Sequence, residues 1–190
     1  MRHVISALVV NEPGVLASVA GMFAARGFNI DSLVVGRTED PNLSRMTIVV
    51  DADENTLEQV RNQLAKLVPI TQVKDFKDSA YVERDLALVT VATRAEHRNE
   101  VIEIVTLFRG KVVDVAKESM MVELSGTEQK IEAFVELMKP YGIRELARTG
   151  IIAMMRGMQA SKESERSASP TGGKRKRSLD APSSASLPPS

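Results

Sequence analysis

The residues best placed to do chemistry are Asn11, Gly14, Val15 and Leu16 in the run Asn11-Glu12-Pro13-Gly14-Val15-Leu16, with Asn29 and Ile30 in a later run, Gly27-Phe28-Asn29-Ile30. Their chemistry would be recognition and not bond making. A helix that opens near Gly14 leaves its first N–H groups unpaired and partly positive, which suits a carboxylate. Gly14 removes a side chain where a ligand would approach the backbone, and Pro13 fits the first helical turn because its missing N–H would go unpaired there. Amide side chains at Asn11 and Asn29 could face an ammonium. Together these groups would hold a small amphoteric ligand such as an amino acid. The stretch Asn11-Glu12-Pro13-Gly14 also serves as a plain strand-to-helix turn, and short Gly/Pro motifs recur in many contexts.

The elements around these residues follow from hydrophobic period. Val4 to Val10 is an apolar run that reads as a buried strand. Val15, Leu16, Val19, Met22 and Phe23 recur at helical spacing, and Arg26-Gly27 supplies the stop, with Gly27 as a left-handed cap. Ile30 to Val35 and Leu43 to Val50 are strands joined by the polar loop Gly36 to Asn42. Asp51 to Asp53 caps a helix with Leu57, Val60, Leu64 and Leu67 on one stripe. Pro69 stops it, and Ile70 to Phe76 is a fourth strand. The order β-α-β-β-α-β is the ferredoxin-like plan. It then repeats: strand Leu86 to Val91, a capping box Thr93 to Glu96, and a helix striped by Val101, Ile104, Val105 and Phe108 that ends at Gly110. Strands Lys111 to Ala116 and Met120 to Leu124 follow. A second box, Ser125 to Glu128, precedes a helix with Ile131, Phe134, Val135 and Met138 inward, and a strand from Gly142 to Arg148 closes the unit. The expectation is an α+β chain of two tandem ferredoxin-like units, 1–77 and 80–158. Ile151 to Met158 would be a final packed turn. Residues 161–190, rich in Ser and Pro, form a tail expected to be disordered, and its basic run Gly173 to Ser178 reads as an incidental patch. Each unit is near the size at which a lone core is marginal. Each sheet also has an uncovered face and open edges, so pairing of first-unit sheets or helices in a homodimer is expected.

Composition narrows the function classes. The chain has 190 residues, 43% of them hydrophobic and only 4% aromatic, with no Trp and no Cys. Its core is therefore aliphatic, and disulfides and thiolate metal sites are excluded. No apolar run is long enough to span a membrane, and Met1 to Val4 leads straight into the first strand, so a soluble cytoplasmic protein without a signal peptide is expected. The net charge is zero; the tail is basic and the remainder mildly acidic, which gives no reason to expect nucleic acid. An RNA-binding sheet would need aromatics on its inner strands, whereas Phe23, Phe108 and Phe134 fall on helix stripes. The two histidines, His3 and His97, read as ordinary surface residues. No Gly-x-Ser-x-Gly elbow, His-x-Glu-type metal spacing or Gly-rich phosphate-cradling loop with Lys is present, so no catalytic or metal residue is assigned.

Several longer runs carry a resemblance. Asn11 to Leu16, Arg26 to Leu33 and Asp40 to Ile48, followed by Phe108 to Val115 and Ala147 to Ile152, resemble the ACT-domain regulatory (small) subunits of acetolactate synthase, in order from about Met1 to Gly157. The resemblance implies an N-terminal ACT domain, a C-terminal ACT-like domain and a non-catalytic chain that activates a separate catalytic large subunit. That partner would use thiamine diphosphate, Mg and FAD on the route to valine, leucine and isoleucine; this chain would carry none of them. It also implies feedback inhibition by a branched-chain amino acid, typically valine, bound between paired ACT domains. Asn11, Gly14, Val15 and Leu16 match the effector site, with Asn29 and Ile30 coming from the neighbouring copy. The loop Arg37 to Arg45 is a candidate contact for the catalytic chain. A stand-alone enzyme, or an ACT-type sensor serving another enzyme or a transcription factor, are the other function classes compatible with such a chain.

Overall fold

The computed structural model describes residues 1–77 and 79–157; the 161–190 tail and its basic run lie outside them. The first unit runs β1 (Arg2–Val10), α1 (Val15–Ala25), β2 (Ser32–Arg37), β3 (Leu43–Asp51), α2 (Glu54–Leu64) and β4 (Ile70–Asp75). The second runs β5 (Tyr81–Ala92), α3 (Arg98–Leu107), β6 (Lys111–Val115), β7 (Ser119–Gly126), α4 (Glu128–Met138) and β8 (Ile143–Arg148), followed by β9 (Ile152–Met155). Strand orders are β2-β3-β1-β4 and β6-β7-β5-β8, all neighbours antiparallel. Two ferredoxin-like units in tandem are therefore present, as the period of the sequence requires.

Each core lies between sheet and helices. Ile5, Ala7, Val9, Met46, Ile48 and Val50 face Val19, Phe23, Leu57, Val60 and Leu64 in the first unit. Ala87, Val89, Val91, Val122 and Leu124 face Val101, Val105, Ile131, Phe134 and Met138 in the second. The α1 stop is a Schellman cap: Gly27 N–H donates to Ala24 O and Phe28 N–H to Phe23 O, while the two Phe rings meet edge to face at 6.3 Å. Asp53 caps α2 by accepting from the Thr56 amide at 2.7 Å, and that hydrogen bond holds its carboxyl below the ordinary carboxylate value.

Several boundaries differ from the sequence reading. Helix α1 begins at Val15 with Gly14 as its N-cap, so Pro13 precedes the helix and is not in its first turn. Neither capping box forms as expected. Thr93 caps nothing; a 3-10 turn, Ala95–His97, intervenes before α3. The α4 cap is Thr127, not Ser125. The left-handed residue after α3 is Arg109, at φ 53°; Gly110 instead lies close against Glu123 O and the Val105 side chain. His3 is buried, its Nε2 3.2 Å from Ala52 O.

The main addition is β9. Strand β5 begins at Tyr81, well before Leu86, because its first third pairs with β9, Tyr81 opposite Met155 and Arg84 opposite Ile152. This two-stranded ribbon covers the face of the first sheet that the helices leave open. Val4, Val49 and Phe76 are buried there against Ile151 and Ala153, with Tyr81 and Met155 alongside. The turn into β9 is held from both sides. Gly150 has φ +82°, and a Cβ there would sit 2.5 Å from Ser32 Oγ and 2.9 Å from Val34 Cγ2, so only glycine fits. Before it, Arg148 binds buried Asp85 through Nε at 3.0 Å and Nη2 at 2.8 Å, and also Glu132. Burial pulls the Arg148 pKa down, but the hydrogen bonds to Asp85 and Glu132 outweigh it and the net shift is upward.

Two outcomes follow from this clasp. The intact chain should unfold in urea as one cooperative transition; a chain ending before Gly150 should show two, because Val4, Val49 and Phe76 lose their cover. Arg148→Ala should cost about 3–5 kcal/mol, the typical result of leaving a buried partner charge uncompensated, and Asp85→Asn in the same chain should restore part of that loss, read from the urea midpoint.

Candidate effector site

Gly14 adopts φ +87°, a conformation in which a Cβ is strained, and open space surrounds the point where one would project. With glycine as N-cap, no side chain caps α1. The Ser18 amide and hydroxyl both turn back to Gly14 O, at 2.9 and 3.0 Å. The N–H groups of the first turn, at Val15, Leu16 and Ala17, are those a helix leaves without intrahelical partners. They open at a shallow cleft of about 360 Å³ lined by Val10, Glu12, Pro13, Gly14, Val15, Ser18, Val68 and Pro69. Its far wall is the α2–β4 connection, fastened by Val10 N–H donating to Pro69 O at 2.8 Å.

Of the residues singled out in the sequence, Gly14 and Val15 line this cleft directly. Asn11 stands beside it with its side chain engaged: Nδ2 donates to Pro41 O at 3.0 Å and Oδ1 accepts from Ser44 Oγ at 3.2 Å. Its backbone N–H donates to Asn42 O at 2.7 Å. Asn11 therefore fixes the β2–β3 hairpin, and its carbonyl retains one lone pair for a ligand. Leu16, expected on the packed stripe of α1, is instead 48% exposed. Asn29 is exposed and donates to Asp31 Oδ1 at 2.9 Å, which leaves its carbonyl oxygen free to accept. Ile30 packs partly on the core. Neither Asn29 nor Ile30 lines the cleft of its own chain. Glu12, Ser18, Val68 and Pro69 are lining residues that the sequence reading passed over; the α2–β4 loop reaches the cleft only through tertiary folding, so no local pattern marks it.

The β2–β3 loop is ordered by its own side chains. Asp40 accepts from the Asn42 backbone at 2.9 Å and from Asn42 Nδ2 at 3.0 Å. Arg45 is drawn over the sheet, with Nη1 3.1 Å from Ser6 Oγ. Among the described residues no group of three or more His, Cys, Asp or Glu is arranged to hold a metal ion, and no helix is long and apolar enough to cross a membrane.

Known proteins match over both units. Residues 5–72 match the family described as AHAS small subunit-like ACT domain, and residues 84–157 match that described as small subunit of acetolactate synthase. The probable acetolactate synthase small subunit of Archaeoglobus fulgidus is 52% identical over 157 residues, which is 83% of this chain and 98% of that protein. The acetolactate synthase small subunit of Mycolicibacterium smegmatis is 47% identical over 155 residues, 82% of this chain and 92% of its own. The crystal structure of the acetolactate synthase small subunit from Thermotoga maritima superposes with a TM-score of 0.77 at 43% identity, covering 83% of this chain and 98% of that one. With both halves matched in order and relatives matched almost end to end, the chain belongs to the family of acetolactate synthase small subunits.

Proposed function

We propose that this chain is the regulatory subunit of an acetolactate synthase: it activates the catalytic large subunit and imposes feedback inhibition by a branched-chain amino acid, with valine as the effector. The thiamine diphosphate, Mg and FAD belong, on this reading, to the large subunit, and so does the condensation of 2-keto acids. The observation that carries the proposal is the uncapped mouth of α1 at a left-handed Gly14. The Val15 and Leu16 amides receive the effector carboxylate, and the remaining Asn11 lone pair accepts from its ammonium. In a homodimer Asn29 and Ile30 of the second copy complete the site, Asn29 by its free carbonyl oxygen and Ile30, with Leu16, by enclosing the aliphatic side chain. The exposure of Leu16 supports this arrangement, since a branched apolar side chain at a helix mouth has no partner within its own unit.

Inhibition requires that the effector bind one arrangement of the complex better than another; equal affinity for both shifts nothing. A coupling of about 1–3 kcal/mol between sites is typical and sufficient. A ligand held by two copies meets that requirement, because its affinity depends on how the copies are oriented. The surface we assign to the large subunit is the loop Arg37 to Arg45. With exposed Ile152 and Met154 of β9 it lines a cleft of about 330 Å³, which combines charge at the rim with an apolar floor.

The regulatory reading requires that the purified chain be silent with pyruvate and that adding the large subunit produce activity above that of the large subunit alone. Turnover by the isolated chain would overturn it. Gly14→Asp puts a carboxylate where the effector's belongs, and Asp is among the residues that tolerate a positive φ. Its inhibition constant for valine should rise at least tenfold, equivalent to about 1.4 kcal/mol, with activation retained and the melting temperature lowered only by the strain of a side chain at φ +87°. Undiminished valine sensitivity would refute the site assignment.

A further inference from the structure

The second unit has a cleft at the place where the first unit has its helix mouth. Two backbone hydrogen bonds of the frame correspond. Val10 N–H donates to Pro69 O at 2.8 Å in the first unit, and Ala92 N–H donates to Gly142 O at 2.8 Å in the second. Asn11 N–H reaches the β2–β3 loop at Asn42 O, and Thr93 N–H reaches the β6–β7 turn at Glu118 O, at 3.0 Å. Thr93 thus occupies the position of Asn11. Its hydroxyl is wholly buried and has no hydrogen-bond partner among the described residues.

The cleft itself is larger, about 730 Å³, and its lining is charged where the first is largely apolar. Arg94 and Arg144 supply two guanidinium groups, and Glu118 and Glu100 two carboxylates. Only one loose ion pair forms among these four groups. Arg94 has no side-chain partner among the described residues. Arg144 comes only within 3.8 Å of Glu118, and both are largely exposed. Glu100, in contrast, is engaged: it lies 3.2 Å from His97 Nδ1 and accepts from the Tyr141 hydroxyl at 3.2 Å. The two rings stand edge to face at 5.9 Å. One wall is therefore built and fixed, while Arg94 and the loose, exposed Arg144–Glu118 pair remain accessible to a ligand. Guanidinium groups match carboxylate oxygens in geometry, and Glu118 can accept from an ammonium.

We propose that this cleft is a second ligand site, for a polar metabolite carrying both a carboxylate and an amino group. Arg94 and Arg144 receive the carboxylate and Glu118 the ammonium. The lining has no Val, Leu or Ile, and its only uncharged members besides His97 are Ala92, Pro140 and Tyr141, so the site favours a polar side chain over the branched aliphatic ones that the first mouth would enclose. Ligand selection then differs between two mouths built on one backbone frame. The proposal does not depend on the effector reading of the first unit, and it is tested apart from it.

The test is calorimetric titration of the full-length chain with L-aspartate, L-glutamate, succinate, inorganic phosphate and L-valine, repeated on Arg94→Ala, Arg144→Ala, Glu118→Gln and Gly14→Asp. Arg94, Arg144 and Glu118 are exposed, so these variants should keep the wild-type melting temperature, which is measured alongside. The expected result is saturable binding of aspartate or glutamate, tighter than succinate by about the factor lost in Glu118→Gln. That binding weakens at least tenfold in each Arg variant and is unchanged in Gly14→Asp. Binding of phosphate and succinate with no preference for the amino acids would overturn the amphoteric assignment. Absence of heat with every amino acid but valine, affinity unaffected by either Arg substitution, or loss of aspartate binding in Gly14→Asp would each overturn the second site.

Discussion

A four-stranded sheet with helices on one side must still keep its other apolar face from water. In the first unit that constraint is met within the chain. Strand β5 runs on past its own sheet and pairs with β9, and the ribbon lays Ile151 and Ala153 over Val4, Val49 and Phe76. The rest of the molecule depends on this cover. It ties the last described strand to the first, requires glycine at position 150, and places the Asp85–Arg148 pair at the junction of the units. It also changes what a second copy has to do. The open face of the first sheet is already occupied, so a partner copy is left with edge strands and with α1, where Leu16 is exposed.

The two helix mouths show how one backbone plan carries different chemistry. Both use the same pair of backbone hydrogen bonds to bring the strand end, the helix start and the following loop together. In the first, a left-handed glycine without a side-chain cap leaves the helix start bare, and the hairpin is locked by the Asn11 side chain. In the second, a 3-10 turn inserts before α3 and moves the helix start away, while charged side chains take over the rim. Repetition of the fold does not imply repetition of the ligand.

Much of this was legible in the sequence. The stripes of α2 and α4, the Gly27 stop and the two-unit order follow from local rules of period and capping, and local rules survive folding. The errors share a cause. Thr93 and Ser125 have the spacing of capping boxes, yet their positions are set by tertiary bonds and strand pairing: Thr93 N–H is held by Glu118 O, and Ser125 remains in β7 opposite Leu86. Ile151 to Met155 lacks any strand-like alternation of its own and becomes a strand because β5 offers an edge. His3 read as a surface residue beside a strand but is buried, its ring against Ala52 O just before α2. At the mouth of α1, Gly14 and Asn11 were legible as a motif. The second engagement of Asn11 with Pro41 and Ser44, and the wall supplied by Val68 and Pro69, arise only from distant segments.

The claim on which the functional account rests is that the first turn of α1 and the Asn29–Ile30 segment of a second copy form one receptor for a free branched-chain amino acid. Backbone amide resonances of an isotope-labelled chain, followed through a valine titration, test it most directly. The account predicts saturable shifts at Val15, Leu16, Asn29 and Ile30, with the C-terminal cleft around Arg94 and Arg144 unmoved. Resonances at those four residues that stay fixed while valine saturates its inhibition of the holoenzyme would contradict it.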